Sequence, residues 1–577
     1  MSLTDSAVIW GSIEAFESGL MEGPRRQGGV HYTPRVLAEY LAARAIDAAT
    51  ASLGRPVESV CDPACGAGAF LVAAADRLHE IGLDPVDIVS ARLRGFDVDP
   101  SAVAVAREVL VSWARMRVRD ESLQVEPNIQ LRDGLDPDLI ESSDIYDLVI
   151  GNPPFLSQLR SDTSIDRQRM ERLSEHLGGL DPYVDASALF LALASRSTAQ
   201  GGIVSLIQPQ SFLSVKGSQG VRDSLLEDCE LVSIWSSAAS FFKASVRVCA
   251  VTVRSVGERR TFAASEPSPS AVKVSWGGDR RSMSQVVDSS VDSPARGASW
   301  GPLLAESVGI PCVDTEPLHT MWKGSVEPAN SSTVPFADLR LSDIATATAG
   351  FRDEYYALVD SCVEQNPGDM GDSSPRLVTV GMLSPFRSDW GSVTARIGGR
   401  QWTRPAVDTD RLDHASHRVA RWARRRMVPK VLVATQSRVV EAAADPDGRD
   451  VPLTPLIAVE PLPDWLDKLP GETPETGLWW IVAALSAPPV SAIALAANLG
   501  SGLSVQSLRW SAKAILDLSL PSEAQHWAAG AELAQQLSTV EQPERRALLE
   551  QFGRSMCLAY RVRNADAVLD WWLERAS

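Results

Sequence analysis

Up to about Gly257 the chain alternates short β-like runs with amphipathic helical runs, and this alternation constrains its fold more than any other feature. A helix between two strands returns the chain to the same edge of a sheet, so the strands pair in parallel. The sequence therefore predicts a doubly wound, mostly parallel α/β sheet. The predicted strands are Glu58–Cys61, Arg92–Phe96, Asn128–Leu131, Tyr146–Ile150, Gly202–Ile207, Leu231–Trp235 and Arg247–Val253, and the predicted helices include Ala69–Ile81, Ser101–Met116 and Ala186–Thr198.

A change of composition divides the chain. From Ala263 to Pro302, serine, proline, glycine and charged residues dominate without a sustained period, which is typical of a connector or an irregular lobe. Beyond it, short strand-like and helix-like runs are mixed, with no internal repeat. A length of 577 residues allows more than one domain. We therefore predict an α/β domain at 1–257, a connector at 258–300 and a mixed α+β domain at 301–577.

The bulk composition limits the classes of function. A formal net charge of −18 argues against a general nucleic-acid coat protein, but it leaves room for a DNA enzyme whose basic residues lie on one face. Seven cysteines without metal-ligand spacing indicate a reducing, cytoplasmic compartment and no structural metal. The apolar run Trp479–Leu499 is broken by two prolines, so we expect a buried helix pair rather than a membrane span. The N-terminus lacks the basic region of a signal peptide.

The segment Asn152-Pro153-Pro154-Phe155 directly follows a predicted strand, where a parallel strand delivers its residues to a ligand crevice. Two prolines remove two backbone donors and leave carbonyl oxygens available as acceptors. The Asn152 amide oxygen and the Pro153 carbonyl can together accept both hydrogens of one planar amino group, and Phe155 can stack on a flat ring. The segment therefore indicates a site for the exocyclic amine of a nucleobase.

A glycine loop, Asp62–Phe70, follows the first predicted strand and opens a helix. Gly66 and Gly68 allow the backbone to approach a ligand closely. Position 71 is Leu rather than the third glycine of a dinucleotide fingerprint, and no Lys-Ser or Lys-Thr pair follows. A Walker loop is thus excluded, and an acid at the loop entrance suits a cationic ligand better than a pyrophosphate.

Two more acids follow the next two strands. Asp97 is placed to accept ribose hydroxyls, and Asp133 is placed to meet an adenine amine. Either residue alone is more often a helix cap. Acids at successive strand tips, without a phosphate-binding feature, indicate a nucleoside that carries positive charge. S-adenosylmethionine fits that description.

With these motifs in this order, residues 31 to about 254 resemble the amino-methyltransferases of DNA, in particular the N6-adenine enzymes of the gamma arrangement. The resemblance implies a Rossmann-like methyltransferase sheet, S-adenosylmethionine as cofactor, and methylation of a flipped-out adenine in double-stranded DNA. His31-Tyr32-Thr33-Pro34 resembles the family's leading cofactor segment, and Asn152–Phe155 resembles its catalytic signature, with Phe in place of the more usual Tyr. The implied cofactor contacts are Thr33, Asp62, Ala64, Gly66, Gly68, Asp97, Val98, Asp133 and Asn152.

The resemblance also implies a second stacking ring. Phe241-Phe242 precedes the last predicted strand of the α/β domain, and the spacing admits either ring, although we prefer Phe242. The implied catalytic residues are Asn152, Pro153, Pro154, Phe155 and Phe242. The short lead before Thr33 predicts that the chain is neither a multisubunit modification subunit nor a fusion with an N-terminal nuclease.

A basic segment lies in the second half of the chain. Between Ser416 and Lys430 the sequence contains six basic residues and no acid, which makes it the best candidate for phosphate contact, with a solvated helix face as the plainer explanation. The predicted DNA contacts are Arg418, Arg421, Arg424, Arg425, Arg426 and Lys430. We expect residues 301–577 to form the target recognition domain, as the family arrangement implies.

Other functions remain open from the sequence. A methyltransferase that acts on RNA or on a protein glutamine also needs to bind a planar amine, and an inactive DNA-recognition subunit of a defence complex would keep the second domain. The first expectation is a monomeric, cytoplasmic bacterial DNA adenine methyltransferase. It would act in restriction-modification, in phage defence or as an orphan enzyme, with a cognate restriction endonuclease as a possible partner.

Overall fold

The computed structural model describes residues 3–22, 33–136, 145–155, 167–177, 181, 184–242, 246–257, 271–315, 318, 339–350, 352–366, 375–469, 473–500 and 508–576. The chain divides into two compact units, Met1–Ser307 and Val308–Ser577. His31 and Tyr32, which belong to the leading cofactor segment of the sequence analysis, lie outside the described residues.

The first unit is built around one large sheet. Its strands in the described residues are β1 Val60–Asp62, β2 Leu93–Asp97, β3 Asn128–Leu131, β4 Tyr146–Gly151, β5 Thr198–Pro209, β6 Cys229–Ser236, β7 Val248–Ser255, β8 Ala271–Trp276 and β9 Val287–Asp292. Its main helices are α1 Leu3–Glu22, α2 Arg35–Leu53, α3 Ala69–Glu80, α4 Pro100–Val118, α5 Arg167–Leu177, α6 Ala186–Arg196 and α7 Gln219–Asp228. Short helical turns at Pro85–Asp87 and Ile88–Arg92 lead into β2.

The strand order is β3-β2-β1-β4-β5-β7-β6-β8-β9. The pairs from β3 to β5 are parallel, whereas β7 runs antiparallel to both β5 and β6. Every residue of β4 is buried, as expected for a parallel strand covered by helices on both faces. The fold is therefore the doubly wound, mostly parallel α/β sheet that the alternation predicts, and each predicted strand is found within a few residues of its observed bounds.

Short-range chemistry explains where the helices that border the site begin. Asp99 caps α4 by accepting a hydrogen bond from the Ser101 backbone at 2.9 Å, and Pro100 occupies the first helical turn. Helix α2 follows Pro34 and ends at Gly54, which has a φ of 66°. Both helices bury an apolar face in the core of the first unit. Helix α4 begins just after β2 ends, and Thr33 before α2 contacts Asn152 after β4, so both N-termini lie at the edge where β2 and β4 end.

The predicted connector at 258–300 is not a plain connector. Ala271–Trp276 and Val287–Asp292 form β8 and β9, which extend the large sheet: β8 pairs in parallel with β6, and β9 pairs antiparallel with β8. Strand β9 is almost entirely exposed and rich in serine and aspartate. An edge strand of that kind lacks the alternation of buried and exposed residues that reveals a strand in a sequence.

The second unit is mixed α and β, and its described part contains two four-stranded sheets. One has the order β10-β21-β18-β19 and the other β11-β17-β12-β20, with two additional hairpins, β13-β14 and β15-β16. The strands are β10 Ala345–Ala349, β11 Cys362–Glu364, β12 Arg376–Val378, β13 Leu383–Ser384, β14 Arg387–Ser388, β15 Ala395–Ile397, β16 Arg400–Trp402, β17 Pro405–Val407, β18 Lys430–Ala434, β19 Ala442–Asp445, β20 Asp450–Pro452 and β21 Leu456–Pro461. The helices are α8 Arg352–Asp360, α9 Thr409–Ala415, α10 His417–Arg425, α11 Pro474–Ser486, α12 Pro488–Ala497, α13 Ala512–Leu516, α14 Ala524–Leu537, α15 Glu544–Ala559 and α16 Ala565–Ala576.

The apolar run near residue 488 forms the helix pair α11–α12, bent by 50° at Ala487. Helix α12 is buried from Pro488 to Ala496. Within the described residues no single helix has the length and hydropathy of a membrane span, and this bent pair meets those criteria only when its two helices are taken together.

Candidate active site

The loop after β1 brings the first predicted acid into a buried position. Asp62 is 2% exposed, and its Oδ1 accepts a hydrogen bond from the Ala64 backbone at 3.0 Å. Gly66 and Gly68 have φ angles of 53° and 92°, a conformation that L side chains rarely adopt. The loop is anchored to the next strand because Cys65 N–H donates to Phe96 O at 2.9 Å. Glycine is therefore required here to turn the loop and to start α3.

The tip of β2 holds the same loop from the other side. Asp97 Oδ2 accepts from Gly66 N–H at 2.9 Å, and its Oδ1 accepts from Asp99 N–H at 2.8 Å. Each carboxylate oxygen has a second lone pair, so Asp97 can still accept from a ligand hydroxyl. Val98, beside it, is 66% exposed and offers an open apolar contact. Asp97 thus orders the glycine loop, which is a role that sequence reasoning did not assign to it.

Asp133 lies after β3 and is bound to the protein on both oxygens. Its Oδ1 accepts from Leu135 N–H at 2.9 Å, and its Oδ2 pairs with Arg169 of α5 at 2.7 Å. Gly134 lies so close to the loop after β1 that a Cβ there would be 2.0 Å from Pro63 O. No local pattern in the sequence predicts the Arg169 contact, because α5 is far from Asp133 in the chain.

The catalytic signature begins where β4 ends, directly beside β1. A Cβ on Gly151 would lie 2.5 Å from Asp62 Oδ1, so the backbone before Asn152 packs on the Asp62 carboxyl. The Asn152 amide Nδ2 donates to Thr33 Oγ1 at 3.0 Å. Thr33 is itself buried at the residue before Pro34, where α2 is about to begin. These contacts bring the leading segment, the glycine loop and the catalytic signature into one site.

Of the two phenylalanines predicted to supply a second stacking ring, one lies beside Phe155. Phe155 is half-buried, and its ring meets Phe242 edge to face with 6.2 Å between centroids. Phe241 packs instead against Trp235, with 5.2 Å between centroids. Both phenylalanines are buried, so the structure adds a distinction between them that their spacing could not make.

Glu17 of α1 is a site residue that the sequence analysis missed. Its carboxyl accepts a hydrogen bond from the Thr33 backbone N–H, and its Oε1 lies 3.8 Å from where a Cβ on Gly66 would be. The Oε2 atom is enclosed, and no described residue donates a hydrogen bond to it. The sequence gives one indication of this position. Ile9, Ile13 and Glu17 are spaced four residues apart, which places Glu17 on the same helix face as the two isoleucines.

The pKa values of three acids in the site are all raised above their ordinary values. Burial raises the pKa of Asp62 to about 8, and the charge of Asp97 adds to this rise. Burial also raises the pKa of Glu17 to about 8 and raises that of Asp97. In the described part of the chain, no Lys or Arg contributes to the pKa shift of any of these three. These carboxyls are hydrogen-bond acceptors, so they fit a ligand that carries positive charge and N–H or O–H donors. No described cluster of His, Cys, Asp and Glu could hold a metal ion.

The basic segment of the second unit divides into exposed and buried residues. Helix α10 buries Val419, Ala420 and Ala423. Its opposite side exposes Arg418, Arg421, Arg424 and Arg425, and Arg424 pairs with Asp413.

Two residues of the predicted DNA-contact set need correction. Lys430 is fully buried in β18 and pairs with Asp445, and Arg426 is largely buried and pairs with Glu460. Lys430 cannot reach a phosphate because it is enclosed with the acid that it neutralises, and the Arg426 guanidinium is engaged with Glu460 rather than extended into solvent.

Comparison with known proteins agrees with this geometry. Residues 18–258 match the family model described as N-6 DNA Methylase. The chain is 26% identical over 221 residues to the Type II methyltransferase M.VspI of Vibrio sp., covering 37% of this chain and 45% of that protein. It is 26% identical over 228 residues to the Type I restriction enzyme MjaIX methylase subunit of Methanocaldococcus jannaschii, covering 38% and 36%. The chain thus spans less than half the length of either curated relative.

A solved structure resembles almost the whole chain. The Type IIL restriction-modification enzyme MmeI in complex with DNA aligns over 99% of this chain and 78% of its own, with a TM-score of 0.54 and 12% identity. At that identity the likeness concerns the fold alone. It extends beyond the large sheet to the second unit, for which the family model has no match.

Proposed function

Because residues 18–258 belong to the N-6 DNA methylase family, we propose that this chain transfers a methyl group from S-adenosylmethionine to the 6-amino group of adenine in double-stranded DNA. The observation that carries the proposal is the junction of β1 and β4. There Asp62 of the glycine loop packs against Gly151, the residue before Asn152. A cofactor at the first strand would therefore be adjacent to an amine held at the second.

The acids at the strand tips support S-adenosylmethionine as the cofactor. Asp62 would bind the methionyl end, Asp97 the ribose and Asp133 the adenine, with Thr33, Ala64, Gly66, Gly68 and Val98 around them. When bound, this cofactor supplies an electrophilic methyl group. Binding a cation would also relieve the unfavourable burial of carboxyls whose pKa is raised.

The Asn-Pro-Pro-Phe segment supports an amine as the acceptor. The hydrogen bond to Thr33 uses the Asn152 amide nitrogen, so the amide oxygen Oδ1 lies on the other side of the carboxamide. We propose that this oxygen and the Pro153 carbonyl accept the two hydrogens of adenine N6. Its lone pair would then face the methyl group. The bound cofactor would supply the methyl carbon, which would leave sulfur as it joins N6. Because the amine becomes acidic when it is alkylated, water could then take the N6 proton, and the site would need no strong general base.

A base inside a duplex cannot reach this segment and must be flipped out, at a cost of a few kcal/mol. Phe155 is half-buried and is the ring we propose to stack on the flipped adenine, with Phe242 edge-on behind it. Stacking contributes roughly 1–3 kcal/mol per base and so offsets part of that cost. Pro154 is proposed to keep the segment rigid while the base enters.

The second unit is proposed to recognise the DNA target. The exposed arginines of α10 and the neighbouring Arg396, Arg400 and Arg411 belong to elements that share one apolar core, built around Ile397, Leu412 and Val419. They concentrate positive charge in an otherwise acidic chain, which suits phosphate contact. We propose a cytoplasmic, monomeric enzyme of a restriction-modification or related defence system, with a cognate endonuclease as its partner.

Transfer of tritium from labelled S-adenosylmethionine tests the proposal. Purified chain is incubated with duplex DNA, RNA or protein, and nuclease digestion of the labelled DNA should yield N6-methyladenosine as the deoxynucleoside. Asn152→Ala should lose this transfer and keep cofactor binding. Asn128→Ala, at the start of β3 and at the far end of the strand from the site, is the matched control and should keep transfer. Label in RNA or protein but not in DNA would overturn the proposal, as would normal turnover by Asn152→Ala.

A further inference from the structure

Helix α1 carries a carboxyl into the candidate cofactor site from outside the large sheet. Ile9, Trp10 and Ile13 are buried in the core of the first unit, and the Arg35 guanidinium lies 5.5 Å from the centre of the Trp10 ring. These contacts fix the helix against the start of α2. Glu17 lies one turn beyond Ile13 on the same face, where continuation of the apolar stripe would place another hydrophobic residue.

The residues next to the Glu17 carboxyl belong to the candidate cofactor site rather than to α1. One neighbour is Thr33, whose backbone N–H donates to the carboxyl and whose hydroxyl accepts from Asn152. The other is Gly66, which Asp97 holds in place from the opposite side. Glu17 therefore faces the space that the glycine loop encloses, between the leading segment and the tip of β2.

One oxygen of this carboxyl has its hydrogen-bonding need unmet. Oε2 is sealed from solvent, and the described residues provide it with no donor. An enclosed acceptor without a donor costs about 1–3 kcal/mol, and more when the group is charged. The negative charge of Glu14 on the same helix adds to this cost. A ligand that brings both a hydrogen-bond donor and a positive charge would offset the cost of burying this carboxyl.

We propose that Glu17 binds the α-ammonium group of S-adenosylmethionine, sharing it with Asp62. The inference rests on the proposed function, since it names a further contact for the same cofactor. The ammonium satisfies both requirements because it is cationic and has three N–H donors, whereas the sulfonium is cationic but has none. Helix α1 thereby becomes part of the cofactor site, and Glu17 links the ammonium to Asn152 through Thr33.

Calorimetric titration of three compounds tests this assignment. Glu17→Gln keeps the size of the side chain and an oxygen that can accept from Thr33, but it loses the charge. S-adenosylmethionine and S-adenosylhomocysteine both contain the ammonium, and each should bind about 10- to 100-fold more weakly. 5′-Methylthioadenosine contains the nucleoside without the amino acid, and its affinity should not change. Glu108→Gln, which removes an exposed carboxyl from α4, should leave all three affinities within about twofold.

The outcomes separate this inference from the proposed function. If wild-type protein binds S-adenosylmethionine and methylates DNA while Glu17→Gln binds all three compounds normally, the assignment of Glu17 fails and the proposed function stands. If Glu17→Gln weakens 5′-methylthioadenosine as much as the other two, Glu17 only shapes the pocket, and the ammonium contact is wrong. If the wild-type protein binds none of the three, both proposals fall.

Discussion

Asn152 donates its amide hydrogen to the Thr33 hydroxyl at 3.0 Å, across 119 residues of sequence. This bond joins the segment proposed to hold adenine to the segment that leads into the cofactor site. It also sets the orientation of the Asn152 amide, because a carboxamide that directs its nitrogen to Thr33 must turn its oxygen away. The proposed acceptor for the target amine is therefore positioned by a residue on a different element.

Thr33→Val tests this positioning. Valine has nearly the shape of threonine but cannot accept the Asn152 hydrogen, so the bond that orients the amide is lost. We expect kcat to fall by about tenfold or more, because a misplaced catalytic hydrogen bond costs transition-state stabilisation. Thr33→Ser restores the hydroxyl and should recover most of kcat. Steady-state methylation of duplex DNA measures both. Equal losses in Val and Ser would show that the methyl group, not the hydroxyl, is what matters at position 33.

Gly151→Ala tests the junction between the proposed cofactor and amine sites. The added Cβ would lie 2.5 Å from Asp62 Oδ1, closer than any unstrained contact, so either β4 or the Asp62 carboxyl must shift. We expect S-adenosylmethionine affinity and methyl transfer to fall together by at least about tenfold. Gly11→Ala is the matched control, because a Cβ there meets nothing within 4 Å and alanine favours the helix. Retained transfer by Gly151→Ala would mean that this junction tolerates movement.

Glu17 should make the stability of the cofactor-free protein depend on pH. Its pKa is raised from 4.5 to about 8 in the folded protein, so the unfolded state binds fewer protons between these values. The contribution of Glu17 to stability is present below pH 4.5 and is lost as pH rises through about 8. Glu17→Gln should therefore melt close to the wild type at about pH 5 and above it by about 2 °C or more at about pH 9. Thermal unfolding measures this, and a pH-independent difference would contradict the raised pKa.

Charge reversal on α10 tests the DNA surface. Arg421→Glu together with Arg425→Glu changes two exposed residues without touching the buried side of the helix. We expect weaker DNA binding and a shallower dependence on salt, with the slope reduced by about one unit for each phosphate that is no longer neutralised. Arg546→Glu, an exposed arginine on α15, provides the control for net charge. Binding is measured at several salt concentrations. If the dependence of affinity on salt is unchanged, this face of α10 contacts solvent rather than DNA.

Lys430 should instead behave as a structural residue. It is buried with Asp445, whose carboxyl also accepts from Asp450 N–H at 2.9 Å. Lys430→Met removes the cation and leaves its buried acid unpaired, at a cost of about 3–5 kcal/mol. We expect a large loss of thermal stability of the second unit, while the salt dependence of DNA binding by folded protein is unchanged. Denaturant unfolding and binding measured on the same preparation would separate the two effects.

How far the sequence could predict each residue depended on whether its evidence was local. Asp62 and Asp97 end their strands and Asp133 lies just after its strand. Because parallel strands bring their carboxyl ends to one edge of a sheet, the placement of all three acids at that edge follows from the sequence pattern. Lys430 was misread because a charge count ignores the apolar run Val431–Ala434 that follows it, and that run places it in a strand buried throughout. Arg426 was misread because its partner, Glu460, lies on another strand.

The sequence by itself determined the doubly wound sheet, the placement of an acid at the end of each of its first three strands, and the position of the Asn-Pro-Pro-Phe segment after β4. These features depend on periodicity and turn chemistry, which act over a few residues. Only the tertiary structure decided that Glu17 faces the glycine loop, that Thr33 orients Asn152 and that Phe242 rather than Phe241 meets Phe155. The physical reason is that packing of helices on a sheet joins distant parts of the chain. No local pattern records which side chains then become neighbours.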